Sequence, residues 1–194
     1  LLGLIAAILI MPFGMKLTMF KISGLPADQI KHSMDMVKLF TYAGIALTPI
    51  VLLIKWAIVA VIIYLIGIIL NAEARFKSLF ALIAHANIII VLSSVANALV
   101  LRFKDPQSIL HPFDMNIIGL HRFFDPASTN RILYHGLAMI NLFEIWYLVV
   151  LVIGLKTIYH ADTRKAAAIT ILFWILTSGM MLSMSLYAEK LRPF

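Results

Sequence analysis

The chain has 194 residues, of which 62% are hydrophobic and only 13% are charged. Soluble domains are about 45–50% apolar and about 25% charged, and a globule of this size has too much surface to hide so many apolar side chains. The composition therefore excludes an ordinary soluble domain and predicts an integral membrane protein. The net charge of +7 lies in loops between apolar runs, where basic residues set topology, so we expect no nucleic-acid partner. The chain has no cysteine, which excludes thiolate metal sites.

Five apolar segments are long enough, or nearly so, to cross a bilayer core as helices, which takes about 20 residues. They predict an all-α, polytopic bundle of five transmembrane helices within a single domain over residues 1–194. The predicted spans are residues 1–15, 46–70, 79–101, 132–156 and 166–187. Because Leu1 already lies inside an apolar run, we expect further residues to precede it.

The connections between the spans differ in length and character. Residues 71–77 and 157–165 form short polar turns that join antiparallel neighbours. Between the first two spans, Pro26 followed by Ala-Asp-Gln is typical of a helix start. One face of the helix that follows is apolar and carries Ile30, Met34, Val37 and Phe40. This pattern predicts an amphipathic helix lying at the membrane interface between spans 1 and 2.

The longest connection covers residues 102–131 and carries three prolines, which predict ordered turns. Three histidines lie in connecting segments, and we expect their rings to be solvated. They are His111, His121 and His160.

Two ionisable side chains lie within predicted spans, at a cost of about 2.5–3.5 kcal/mol each at a helix centre. Glu144 lies midway along the fourth span, and Lys55 lies near the start of the second. A functional interpretation pairs them, or makes Glu144 a proton or cation site. A structural interpretation has Lys55 extend to the nearer interface and Glu144 protonated or hydrogen-bonded inside the bundle. The structural interpretation is the one that we favour.

The third span carries His85, Asn87 and Asn97. The two asparagines are nearly three helical turns apart and share one face, which favours a helix-packing surface over a transport path. In the fourth span, His135 and Glu144 are nine residues apart and do not project to one point. No metal-ligand spacing or enzyme signature is present, so we expect no metal, no cofactor and no catalytic activity.

Several motifs occur in an order that resembles a known family. Asn141-Leu-Phe-Glu-Ile-Trp146 is followed by Gly154-Leu155 and then by Lys165-Ala166 at the start of the last span. Pro49 and Trp56 in the second span, and Phe76-Lys77 at the start of the third, fit the same order. Together they make the whole chain similar to the five-span Yip-type domain family, named for membrane proteins that interact with Ypt/Rab GTPases.

The resemblance implies a topology and a branch of the family. It places the N-terminus and the 71–77 and 157–165 turns in the cytoplasm. The sequence looks most like bacterial members, which implies the bacterial inner membrane. Eukaryotic members carry an acidic-aromatic-Gly-Pro motif in an N-terminal region that this sequence does not include, so a role in vesicle trafficking is not carried over.

These features support one leading hypothesis and two alternatives. The leading hypothesis is a non-enzymatic scaffold or accessory subunit in the lipid bilayer, packed against other integral membrane proteins or further copies of itself. The first alternative is a small transporter, or a component of one, that uses Glu144 with Lys55 or His85. The weaker alternative is a subunit of a pigment or redox complex with His85 or His135 as axial ligand. The candidate intramembrane polar and packing residues are Lys55, His85, Asn87, Asn97, Asn141, Phe143, Glu144, Trp146, Gly154 and Lys165.

Overall fold

The computed structural model describes residues 27–103, 118–125 and 128–190. In these residues the backbone forms five α-helices and one 3-10 helix, and the all-α prediction is confirmed for them. The helices are α1 (Ala27–Ile69), α2 (Phe76–Leu101), the 3-10 helix Leu120–Phe123, α3 (Arg131–Met139), α4 (Leu142–Ile158) and α5 (Thr163–Lys190). The predicted first span, residues 1–15, lies outside the described residues, as do Pro26, Pro106, Pro112, Pro126 and His111.

Three helical stretches in the described part of the chain are long and apolar enough to cross a membrane. They are Lys31–Ile69, Phe76–Leu101 and Thr163–Met184. They contain the predicted third span, all of the second except its last residue, and most of the fifth. Many large apolar side chains on these helices are exposed, as lipid-facing residues are, among them Ile58, Leu65 and Ile175. The chain is therefore a membrane protein.

The predicted interfacial helix is not a separate element, and that part of the prediction is wrong. Its residues form the first turns of α1, which continues without interruption through the second apolar segment for 43 residues. Pro49 lies inside this helix and provides no N–H to it, yet the helix continues on both sides of the proline. The Thr41 and Thr48 hydroxyls donate to the carbonyl oxygens of Val37 and Gly44 within the same helix. At 1.5 Å per residue α1 is about 65 Å long, roughly twice the thickness of a bilayer core.

The single helix predicted over residues 132–156 is also wrong, because the structure divides this segment in two. α3 ends at Met139, and α4 begins at Leu142. The 17 residues of α4 extend about 26 Å, a little less than a bilayer core.

The chain divides into two compact units, one of residues 1–54 and 91–117 and the other of residues 55–90 and 118–194. In the first, Ala98 and Leu101 are buried. The second contains an apolar core to which α1, α2, α4 and α5 all contribute. Its fully buried large side chains are Ile63, Leu79, Ile83, Leu151, Leu155 and Ile169.

The two short turns of the second unit have the same backbone structure. After α1, Asn71 takes a left-handed conformation with φ 52°, and the Ala72 N–H donates to the Gly67 carbonyl oxygen at 2.8 Å. After α4, His160 has φ 47°, and the Ala161 N–H donates to the Lys156 carbonyl oxygen at 3.2 Å. This six-residue closure is the Schellman ending of a helix. It reverses the chain within a few residues, as the sequence predicts for both connections.

Candidate functional site at the interrupted fourth segment

The interruption between α3 and α4 is held by a separate piece of backbone. Gly119 and Asn141 form an isolated antiparallel bridge, in which the Leu120 N–H donates to the Ile140 carbonyl oxygen at 2.9 Å. Ile140 has left the helical conformation, so its carbonyl oxygen needs a partner from elsewhere in the chain. An unpaired backbone group away from water is costly, and the Leu120 N–H satisfies this one. The bridge therefore explains how the segment can be broken.

Asn141 starts the new helix by capping it. Its side-chain Oδ1 accepts a hydrogen bond of 2.9 Å from the Glu144 backbone N–H. Asparagine is among the best N-cap residues because this bond satisfies an amide that has no partner within the helix. Glu144 is consequently in the first turn of α4 and not at the middle of a helix, as the sequence predicted. A carboxylate at this position also interacts favourably with the positive end of the helix dipole.

Glu144 is the acidic group at the centre of this site. Its side chain is half-buried, and the Lys55 ammonium on α1 attracts it electrostatically. Among the described residues no ion pair within 4.0 Å joins the two. Tyr147, one turn further along α4, is buried and lies near enough to interact with the same carboxylate. The structure thus places Lys55 and Glu144 in one neighbourhood without a direct contact.

Phe143 and Trp146 lie beside each other on α4. Their ring centroids are 6.5 Å apart with an angle of 31° between the ring planes. Phe143 packs against the apolar core, whereas Trp146 is 48% exposed. The pair therefore extends from the core to the outer surface of the second unit.

Gly154 allows α4 to approach α2 closely. A Cβ atom built on Gly154 would overlap the end of the Leu82 side chain on α2, with Leu82 Cγ 3.0 Å away. Only glycine leaves this space free. The glycine therefore accommodates the Leu82 side chain against the backbone of α4.

His85 and Asn87 of α2 lie on different faces of the helix. Asn87 is buried and donates its Nδ2–H to the Ile83 carbonyl oxygen at 3.3 Å. His85 is exposed, and its Nδ1 lies 2.7 Å from the carbonyl oxygen of Ala81. Asn97 is half-buried and belongs to the first unit.

Lys165 joins the two turns of the second unit. Its Nζ donates to the Asn71 carbonyl oxygen at 2.7 Å, and its backbone N–H donates to Asp162 Oδ1 at 3.0 Å. The second bond makes Asp162 the N-cap of α5. The sequence selected Lys165 through the family resemblance, and the structure adds a contact within the chain.

A comparison with protein-family models identifies the family. The model described as the Yip1 domain matches residues 1–184. The chain belongs to the Yip1 domain family. No curated protein matches the chain, and no solved structure does. The match confirms the resemblance seen in the sequence, and the motif residues Phe143, Trp146 and Gly154 of this Yip1 domain all lie on α4.

The sequence analysis missed a buried cluster beside the interruption. In this Yip1 domain His121 is completely buried in the 3-10 helix, so the prediction that it is solvated is wrong. Its ring meets Tyr134 of α3 edge-on, with the centroids 5.1 Å apart. Gly119 leaves room for it, because a Cβ there would lie 2.6 Å from His121 Nδ1. His135 is buried in the same region. The apolar residues around Gly119 were the available signal that this part of the loop is ordered.

The cluster has no arrangement typical of a metal site. Within residues 27–103, 118–125 and 128–190, no group of three or more His, Asp or Glu side chains is close enough to hold an ion. The chemistry that this region of the Yip1 domain offers is that of one half-buried carboxylate near an ammonium group.

Proposed function

We propose that this Yip1 domain chain is a non-enzymatic membrane scaffold or accessory subunit that packs against helices of other membrane proteins. The observation that carries the proposal is the outward position of His85 on α2. His85 is exposed on the same face as Ala81 and Ile88. No described residue accepts or donates a hydrogen bond at its Nε2. Polar side chains in a membrane helix normally face a protein neighbour or water, because contact with lipid is costly. A helix of a partner supplies such a neighbour.

Small residues on α5 support the same proposal. Gly179 and Ser183 are exposed and four residues apart, so they lie on one face of the helix. A Cβ at Gly179 would meet nothing within 4 Å. A face of small residues lets a second helix approach closely and form van der Waals contacts that lipid chains do not match.

In the proposed orientation the protein lies in a bacterial inner membrane, and both short turns face the cytoplasm. The turns lie together, since Lys165 of one contacts Asn71 of the other. The two turns carry five basic residues in short loops, a charge density that the positive-inside tendency favours on the cytoplasmic side. The opposite side carries ten basic residues over longer segments, so the raw count favours the reverse, and the proposed orientation follows the family resemblance. The five basic residues of the turns are Arg75, Lys77, Lys156, Arg164 and Lys165.

Site-specific photocrosslinking in native membranes tests the scaffold proposal. A benzophenone amino acid replaces His85, and a matched variant carries it in place of Leu65, which is 52% exposed on α1. We expect a discrete protein adduct from position 85 and much less from position 65. An adduct of twice the chain mass would identify a second copy as the partner, and any other adduct would be identified by mass spectrometry. Absence of a protein adduct at position 85 would contradict the proposal.

The second candidate function is a small transporter, or a component of one, that uses Glu144. The observation that favours it is the interruption at Ile140–Asn141, which leaves a helix N-terminus and an acidic side chain close to Lys55. Interrupted helices form the ion and substrate sites of many transporters. Proton flux into proteoliposomes, followed with an internal pH-sensitive dye, should be lost in Glu144→Gln and retained in Asp35→Asn. Normal flux in Glu144→Gln, or no flux in the unsubstituted protein, would rule the proton-transport form out.

A further inference from the structure

We propose that a groove beside the α1–α2 turn binds the zwitterionic headgroup of an aminophospholipid, phosphatidylethanolamine. The groove has a volume of about 420 Å³ and is lined by Tyr64, Ile68, Glu73, Ala74 and Arg75. All five residues belong to the second unit. The proposal is independent of the protein partner proposed above.

The groove lies at the ends of two apolar helices, where a bilayer spanned by these helices would place its headgroups. α1 ends at Ile69 and α2 begins at Phe76, and both helices are long and apolar enough to cross a membrane. Ile68 is half-exposed and gives the groove an apolar wall, and Tyr64 adds an aromatic ring of the kind enriched at membrane interfaces. The other wall is charged. A phospholipid has the same division, with a charged headgroup next to apolar chains.

The charged wall carries one acidic and one basic side chain, Glu73 and Arg75, which do not form an ion pair with each other. Glu73 and Arg75 are both exposed, and neither forms a hydrogen bond or an ion pair through its side chain with any described residue. An arginine guanidinium matches a phosphate in geometry and charge, and it can donate two parallel hydrogen bonds to it. A carboxylate correspondingly accepts hydrogen bonds from a primary ammonium group. One ligand that carries both a phosphate and an ammonium group satisfies both side chains.

The same reasoning separates phosphatidylethanolamine from other common lipids. Phosphatidylglycerol offers a phosphate to Arg75 but brings no cation to Glu73. Phosphatidylcholine brings a cation, but its trimethylammonium group has no N–H to donate. Of these three lipids, only the aminophospholipid provides both a phosphate for Arg75 and a cationic N–H donor for Glu73.

The second turn of the chain provides an internal comparison. Asn71-Ala-Glu-Ala-Arg75 and His160-Ala-Asp-Thr-Arg164 have an acid two positions, and an arginine four positions, after the left-handed residue. In the second turn, however, the carboxylate already has a hydrogen-bond partner, because Asp162 Oδ1 accepts the Lys165 backbone N–H. Glu73 has no such bond. The two turns therefore share a backbone, and only the first offers a free carboxylate beside its arginine.

Lipid retention measured by native mass spectrometry tests the proposal. The purified full chain in a mild detergent is mixed with dioleoyl-phosphatidylethanolamine, dioleoyl-phosphatidylcholine or dioleoyl-phosphatidylglycerol, and bound lipids are counted. We expect selective retention of the ethanolamine lipid. Arg75→Gln should lower its retention about tenfold, as loss of a hydrogen bond to a charged group predicts. Glu73→Gln should remove the preference for ethanolamine over glycerol. Arg164→Gln is the matched control and should behave like the unsubstituted chain.

Two results would overturn the proposal. One is equal retention of the three lipids by the unsubstituted chain. The other is an equal loss of retention in Arg164→Gln and Arg75→Gln, which would indicate a general effect of positive charge. Arg75→Lys keeps the charge without the paired donors of a guanidinium, so it should retain the lipid more weakly than the unsubstituted chain. The exposed positions of Glu73 and Arg75 make these substitutions compatible with folding, and gel filtration of each variant checks this.

Discussion

The Nζ atom of Lys165 donates a hydrogen bond of 2.7 Å to the carbonyl oxygen of Asn71, a residue 94 positions earlier in the chain. Asn71 is the left-handed residue that follows α1, and its carbonyl is beyond the hydrogen-bonding pattern of the helix. The bond fastens the start of α5 to the end of α1. The lysine of the Lys165-Ala166 family motif therefore makes a contact between two helix ends, and its charge is not the only property that matters here.

Replacing Lys165 should loosen the second unit at this end. Lys165→Met keeps most of the side-chain length and removes the donor, so we expect the free energy of unfolding to fall by about 0.5–1.5 kcal/mol. Reversible unfolding in mixed detergent micelles measures it. Lys77→Met is the matched control, because Lys77 is an exposed lysine near the same turn with no such bond. An equal loss in both variants would show that positive charge, and not the contact with Asn71, stabilises this end.

The contact between Gly154 and Leu82 gives a second prediction. Gly154→Ala adds a methyl group where Leu82 already lies, so the helices must separate or Leu82 must change conformation. Overpacking of this kind costs about 1–3 kcal/mol. Gly179→Ala, at a site with open space around it, should cost far less. The measurement is again unfolding in mixed micelles.

A second substitution, at Leu82, tests whether the cost of Gly154→Ala comes from this contact. Leu82→Ala removes the side chain that the new methyl group would meet. In that background Gly154→Ala should cost little, so the two substitutions should be strongly non-additive. Additive losses would mean that the glycine is needed for another reason, such as helix flexibility.

Hydropathy and turn residues were sufficient to predict three apolar helices and the two short turns, since these features depend on local sequence. The interruption of the fourth segment also has a local signal, because Asn141 followed three residues later by Glu144 is a helix-start pattern. The residues on both sides of Asn141 are apolar, so the hydropathy of the segment predicted one continuous span. An N-cap pattern inside an apolar segment therefore favours two helices over one long span.

Other features depend on contacts that are distant in sequence. The burial of His121 requires the 3-10 helix to pack on α3, and the bridge from Gly119 to Asn141 requires the loop to return to the interruption. The bond from Lys165 to Asn71 likewise joins residues that no local pattern connects. Sequence reasoning selected Lys165 through resemblance alone, and the structure was needed to find its partner.

Asn141 should control the start of α4. Asn141→Ala removes the acceptor for the Glu144 N–H and should cost about 0.5–2 kcal/mol, whereas Asn141→Asp keeps an acceptor and should cost less. Hydrogen exchange followed by mass spectrometry should show faster exchange in the first turn of α4 in the alanine variant. Exchange elsewhere in α4 should stay unchanged. Uniformly faster exchange along α4 would instead mean that the substitution unfolds the helix as a whole.

The attraction between Lys55 and Glu144 can be measured with a double-mutant cycle. Lys55→Met should lower the free energy of unfolding by at most about 0.5 kcal/mol in the unsubstituted chain, because Lys55 is exposed and does not contact Glu144 directly, and by less in the Glu144→Gln background. Lys156→Met is the control, because Lys156 lies in the last turn of α4, about 18 Å along the helix from Glu144. Its effect should be the same in both backgrounds. Equal coupling energies for Lys55 and Lys156 would show that Glu144 responds to net charge and not to Lys55. A coupling found only for Lys55 would establish that the first turn of α4 and the second half of α1 interact through these two side chains.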